Sequence, residues 1–199
     1  LASIDRDNKK SSEAGIKYFV LSALSSGLLL YGCSLIYGFT GSTSFEEIAN
    51  NSSDFSVGII FGMVFVLVGL AFKVSAVPFH MWTPDVYEGA PLPIGAFLSI
   101  ASKAAAFAVI LRIFYIAFGN ATLDWSIMFA SLSAITMTVG NFIAIQQNSI
   151  KRLLGYSTIA HAGYMLIGVA AVTTIPPAVI LTPVLAVKSP TESTLVTSS

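Results

Sequence analysis

Two lysines in apolar surroundings and one histidine beside a proline are the residues with chemistry to offer. Lys73 stands inside GLAFKVSAVPFHMWTPDVYEGAP, seven residues before His80, and Lys103 stands inside SIASKAAAF. An ionised lysine at the centre of a membrane helix costs roughly 2.5–3.5 kcal/mol on insertion scales, so lysines kept there face a bundle interior or a water-filled cavity. Proton transfer is the chemistry a buried amine supplies. Two such amines on successive helices can pass a proton through ordered water, provided each releases its proton near neutral pH. His80, whose imidazole titrates near pH 6.5, is the third candidate.

Each candidate has a plainer reading. Lys103 lies twelve residues from Pro91 and fifteen from Phe118, roughly 18–22 Å from either end of a helix rising 1.5 Å per residue. That is too deep for its side chain to snorkel to the interface. Lys73 is only about 10 Å from the expected break at PFH and has the snorkelling reading open to it. His80 reads equally as a hydrogen-bonded residue at a helix end. Asp85 and Glu88 in TPDVYEGAP read as loop-forming and capping acids, Arg112 as an interface anchor, and His161, on one face with Ser157 and Tyr164, as a packing residue at least as much as a relay.

The elements that must position these groups are membrane helices. Of 199 residues, 55% are hydrophobic and 10% charged, and the mean hydropathy is +0.80, against roughly 25% charge in soluble domains. Apolar runs near the ~20 residues needed to cross a bilayer fall at about 15–39, 56–79, 91–118, 124–147 and 153–173. The expected fold is all-α, a polytopic bundle of about five transmembrane helices, with the second broken at Pro78, which removes a backbone donor and clashes with the preceding turn. Gly58, Gly62, Gly69, Ala76 and His80 form a small-residue stripe on that helix, a face suited to close helix packing in lipid.

Charge placement sets the orientation. Arg6, Lys9, Lys10 and Lys17 precede or begin the first span and Lys151 and Arg152 lie between the last two, whereas Glu46, Glu47, Asp54 and Asp124 occupy the alternate loops. The amino-terminal end and the loops around residues 80–90 and 148–152 are therefore expected on the cytoplasmic side. Residue 1 is Leu and no signal peptide opens the chain, so an internal fragment is the simplest reading. After Val172 the pattern fails: TTIPPAVILTPVLAVKSPTESTLVTSS carries four prolines and many Thr and Ser. Residues 173–199 are thus set apart as an irregular tail, out of frame or non-native, from a membrane domain at 1–172. The ten basic and ten acidic residues balance and give no reason to expect nucleic acid. A single cysteine excludes an internal disulfide, and no dinucleotide fingerprint, phosphate loop, CxxC pair or nucleophilic triad is present.

Three long motifs carry a resemblance. EAGIKYFVLSALSSGLLLYG, GLAFKVSAVPFHMWTPDVYEGAP and IKRLLGYSTIAHAGYM resemble, in order, those of the antiporter-like subunit N family of bacterial respiratory NADH-quinone oxidoreductase (complex I), whose mitochondrial counterpart is NADH dehydrogenase subunit 2. Multisubunit sodium/proton antiporters carry related motifs. The resemblance implies a proton-translocating membrane subunit driven by quinone reduction elsewhere, in the bacterial inner membrane or its mitochondrial or plastid equivalent. It implies Lys73 as the lysine of the broken helix, Lys103 as the central lysine on the next helix, His80 as the histidine of the PFH motif, and Glu13 and Lys17 as supporting polar residues. It implies no cofactor in this chain, with NAD, FMN, iron–sulfur clusters and quinone elsewhere, and other complex I membrane subunits and the lipid bilayer as partners. The glutamate that pairs with the Lys73 position and the distal lysine of the second half-channel are not found within 1–172. A cation/proton antiporter subunit, or a non-functional fragment of a split gene, are the alternative readings.

Overall fold

The computed structural model describes residues 3, 7–51, 56–119 and 122–171. Its elements are α1 (Lys9–Thr40), α2 (Phe45–Asn51), α3 (Val57–Val74), α4 (Trp82–Gly89), α5 (Leu92–Arg112, continued as a π-helical turn over Ile113–Ala117), α6 (Thr122–Ile145) and α7 (Ile150–Ala171). No strand occurs among the described residues, and α1, α3, α5 with its π turn, α6 and α7 are long and apolar enough to cross a membrane. The expected fold class holds. The tail at 173–199, Arg6 and Asp54 lie outside the described residues, as does the side chain of Asp124.

The first span starts earlier than its apolar run. Asn8 caps α1 by accepting a hydrogen bond from the Lys10 amide at 3.0 Å, and Gly41 ends it in the left-handed conformation at φ 73°. The expected loop between the first two spans holds α2, whose Ile48 is buried and whose Phe45 ring lies 5.8 Å from the Arg112 guanidinium. Seven residues carry too few apolar positions to register as a span. Arg112 closes the last turn of α5 and rests on this ring.

The second span differs most from expectation. Its helix ends at Val74, four residues before Pro78, because Ser75 adopts a left-handed conformation at φ 64°. The Ser75 amide donates to the Phe72 carbonyl at 3.1 Å and the Ala76 amide to the Ala71 carbonyl at 2.9 Å, the paired bonds of a Schellman ending. Residues 75–81 are turns, and the chain then re-enters helix as α4. Pro84 falls in the first turn of α4, where the missing amide hydrogen has no intrahelical partner to lose.

Helices pack where side chains are small. A Cβ on Gly62 would meet Ile36, one on Gly69 would meet Leu29, and one on Gly58 would meet Phe39. All three partners lie on α1, so the glycines of the stripe form the α1–α3 interface, while Ala76 and His80 fall beyond the end of the helix. α6 and α7 approach closely at Gly140 beside Ala160 and at Gly163 beside Met137, where the Ser133 hydroxyl donates to the Gly163 carbonyl at 2.6 Å. Past the end of α5, Phe114, Phe118, Trp125 and Phe129 are fully buried against one another.

Candidate functional site

Lys103 sits midway along α5 and is only 3% exposed. Its amine donates a hydrogen bond to the Thr158 carbonyl on α7 at 2.8 Å. A buried ammonium needs an oxygen partner to offset its lost hydration, and a helix carbonyl has a second lone pair to give. The residue therefore bridges two spans in the interior, as its depth in the sequence required.

Lys73 is half-buried and stands in the last turn of α3, two residues before the break rather than the five that separate it from Pro78. There its charge faces the negative end of the helix dipole. Among the described residues it makes no hydrogen bond or ion pair, and none joins Lys73, His80 and Lys103 to one another.

His80 lies in the break itself, outside the five spans. Its Nδ1 is buried without a hydrogen-bond partner among the described residues. Burial pulls its pKa below the ordinary histidine value, which disfavours the protonated ring. The break is stitched to its surroundings: the Val77 amide donates to Thr136 Oγ1 on α6 at 3.0 Å, the Thr83 hydroxyl to Ser75 Oγ at 2.8 Å, and the Trp82 indole to the Phe72 carbonyl at 3.2 Å. These donors and acceptors replace the helix ladder that the turn interrupts.

Asp85 and Glu88 are not loop or capping acids. Both project from α4 into an ionic cluster with α1 and α7. Asp85 pairs with Lys17 at 2.7 Å and with Arg152 at 3.2 Å; Glu88 pairs with Lys10 at 2.7 Å and with Arg152 at 3.3 Å; Lys17 also holds Glu13 at 2.7 Å. Four prolines near this segment made it read as loop, and nothing in one sequence pairs residues about 65 apart. Lys17 thus joins α1 to α4, and Glu13 is tied to α4 through it. Arg152 reaches two carboxylates with one planar fork, a geometry lysine lacks. Arg152→Lys should therefore restore little of the stability lost in Arg152→Ala. A double-mutant cycle with Asp85→Asn, read by thermal unfolding, should give a measurable coupling of about 0.2–1 kcal/mol because the pair is partly exposed. Zero coupling would show that the fork does not hold α4.

His161 is exposed on α7 with its ring 6.0 Å from that of Tyr164, whose hydroxyl accepts from the Asn141 side chain at 3.2 Å. Among the described residues no group of His, Cys, Asp and Glu could hold a metal ion.

The chain also matches a known group of membrane proteins. A family model described as NADH:quinone oxidoreductase/Mrp antiporter, transmembrane, matches residues 1–186. The chain belongs to this family. It is 55% identical over 173 residues to NADH-quinone oxidoreductase subunit N 1 of Rhizobium meliloti, covering 86% of this chain and 36% of that protein. It is 58% identical over 179 residues to subunit N of Bartonella bacilliformis, covering 86% and 37%. The chain thus spans little more than a third of the curated relatives it matches. Among solved structures it resembles a chain of respiratory complex I from Thermus thermophilus with bound aureothin, at 39% identity and TM-score 0.71, covering 92% of this chain and 40% of that one. It also resembles a chain of the Mrp complex from Dietzia, at 26% identity and TM-score 0.75, covering 81% and 30%. With five apolar helices and bacterial relatives of this kind, this member of the antiporter-like family is a multi-pass inner-membrane protein.

Proposed function

We propose that residues 1–172 form part of the proton-translocating membrane domain of an NADH-quinone oxidoreductase subunit, coupled to quinone reduction elsewhere in the complex. The observation that carries this reading is Lys103, a fully enclosed amine in mid-membrane held by an uncharged carbonyl on the next packed span. In this reading Lys103 relays protons, Lys73 exchanges them at the end of the broken helix, and the imidazole of His80 serves the break. The subunit does no redox chemistry itself: NAD, FMN, iron–sulfur clusters and quinone belong to other parts of the complex. Its partners are the other membrane subunits, and the isolated chain is inactive.

The likeness to the Mrp complex supports a second reading, a subunit of a cation/proton antiporter without a redox partner. Purification of the intact subunit from its native membrane separates the two. Co-purifying peripheral subunits with flavin and iron–sulfur clusters are expected; a stable membrane complex lacking them would favour the antiporter.

Lys73 gives a further test. Lys73→Ala in the intact subunit should lower turnover severalfold, short of the ~10²–10⁴ that a positioned proton carrier can supply, because its place in the last turn leaves it half-exposed. An assembled variant that pumps at the normal rate would make Lys73 an interfacial anchor.

A further inference from the structure

Ser75 is a serine where a glycine would sit more easily. Its backbone is left-handed, at φ 64° and ψ 36°, a conformation that costs a residue with a Cβ roughly 1–2 kcal/mol and that glycine adopts freely. Such a residue persists only where its surroundings hold it. Part of that hold is a bond between side chains: the Thr83 hydroxyl donates to Ser75 Oγ at 2.8 Å, and both residues are wholly buried. The two hydroxyls come from opposite sides of the break, one from the residue that caps α3 and one from the first turn of α4. A glycine at position 75 would relieve the backbone and lose the bond.

What the bond can position is set by its two ends. On the α3 side, the left-handed turn at Ser75 lets the Ser75 and Ala76 amides reach back to the Phe72 and Ala71 carbonyls, and Lys73 stands in the turn so closed. On the α4 side, the Thr83 amide donates to the His80 carbonyl at 2.9 Å, which fixes the backbone that carries the hydroxyl. Asp85, two residues further on, pairs with Lys17 of α1 and Arg152 of α7. Between the two ends the chain runs through the turns of residues 75–81, which would absorb a shift of α4 before it reached α3. The buried bond bypasses them. A hydrogen bond of this kind contributes about 0.5–1.5 kcal/mol net, enough to hold one turn in register and too little to decide whether the bundle folds.

We infer that Thr83 and Ser75 are positioning residues for Lys73: their bond ties the last turn of α3 to the first turn of α4, and so sets where the Lys73 amine stands relative to the short helix clamped by Lys17 and Arg152. This inference rests on the reading of Lys73 as a proton carrier given above. Neither hydroxyl carries the proton. Each acts through the backbone of the turn that holds the amine.

Thr83→Val keeps the outline of the side chain and removes the hydroxyl, whereas Thr83→Ser keeps the hydroxyl and removes a methyl group. In the intact subunit of the assembled complex, Thr83→Val should slow coupled proton pumping about twofold to threefold, a part of the loss expected of Lys73→Ala. Thr83→Ser should stay near the wild-type rate. A packing role predicts the reverse order, since serine is the variant that leaves a hole. Ser75→Gly, which relieves the backbone and deletes the acceptor, should slow pumping as much as Thr83→Val. Added to Lys73→Ala, Thr83→Val should cost nothing more, because two changes that act through one group do not add. Flavin content of the purified complex, unchanged throughout, reports assembly. A wild-type rate in Thr83→Val or Ser75→Gly, with Lys73→Ala slow, refutes the link and leaves Lys73 as a carrier. A further loss in the Lys73→Ala background refutes it as well, since the bond then acts elsewhere. If Lys73→Ala pumps normally, the carrier reading fails and the inference with it. Should Thr83→Val not assemble, Ser75→Gly decides by the same measurements; should neither assemble, the bond is a requirement of folding and the positioning role is overturned.

Discussion

Lys103→Ala, placed in the intact subunit, should cut proton pumping and coupled quinone reduction about a hundredfold, the low side of the ~10²–10⁴ that positioned proton carriers contribute. The residue is 3% exposed and its amine is bonded to Thr158, so an anchoring role at the interface is closed to it. Assembly should survive, because the Thr158 carbonyl remains in its own helix and is not stranded by the loss. Lys103→Met, which keeps the volume and removes the charge, guards against a packing explanation and should be as inactive as alanine. Lys103→Arg should rescue poorly, since a guanidinium does not release its proton near neutral pH. Coupled turnover is measured against NADH oxidation with an artificial acceptor, which reports the redox part alone. Normal pumping by an assembled Lys103→Met complex would remove Lys103 from the path.

Gly32→Val should be the most damaging substitution away from any charge. A Cβ on Gly32 would lie 2.8 Å from the Gly62 carbonyl oxygen, 2.8 Å from the Val66 amide nitrogen and 2.9 Å from the Phe65 Cβ. Two of these are backbone atoms of α3, which cannot rotate away as a side chain would, so α1 and α3 must move apart. Overpacking of this kind costs about 1–3 kcal/mol, and here it displaces the helix whose last turn carries Lys73. Gly38, on the same helix, has nothing within 4 Å of its virtual Cβ and serves as the control. Thermal unfolding of the purified subunit should separate Gly32→Val from Gly38→Val by several degrees. Equal melting temperatures would show that α1 and α3 do not meet at this glycine.

How much was legible in the sequence follows from the range of each signal. Hydropathy acts over one span at a time, so the five spans and the depth of Lys103 could be counted directly. The Gly58, Gly62 and Gly69 stripe was visible because it repeats on one helix; Gly32, its counterpart across the interface, belongs to another. Pro78 drew the break to itself, whereas a serine in a left-handed conformation ends the helix at Val74, and serine at that position carries no local mark. Asp85 and Glu88 were hidden by the same prolines: Pro84 looks like a helix breaker and stands in the one turn where it is not. The Thr158 carbonyl was beyond reach, since a backbone acceptor is present at every residue and only the packing of α5 on α7 selects one.

That acceptor has a mechanical side. A carbonyl keeps zero net charge whatever the lysine does, unlike a carboxylate partner, so the strength of the link between α5 and α7 follows the charge on Lys103 alone. A bond donated by an ammonium is roughly twice as strong as one donated by a neutral amine. On the proton path proposed above, loading a proton on Lys103 would tighten the clasp between the two helices and unloading it would slacken the clasp, which would give neighbouring segments a way to feel the occupancy of a single nitrogen as a change in stiffness.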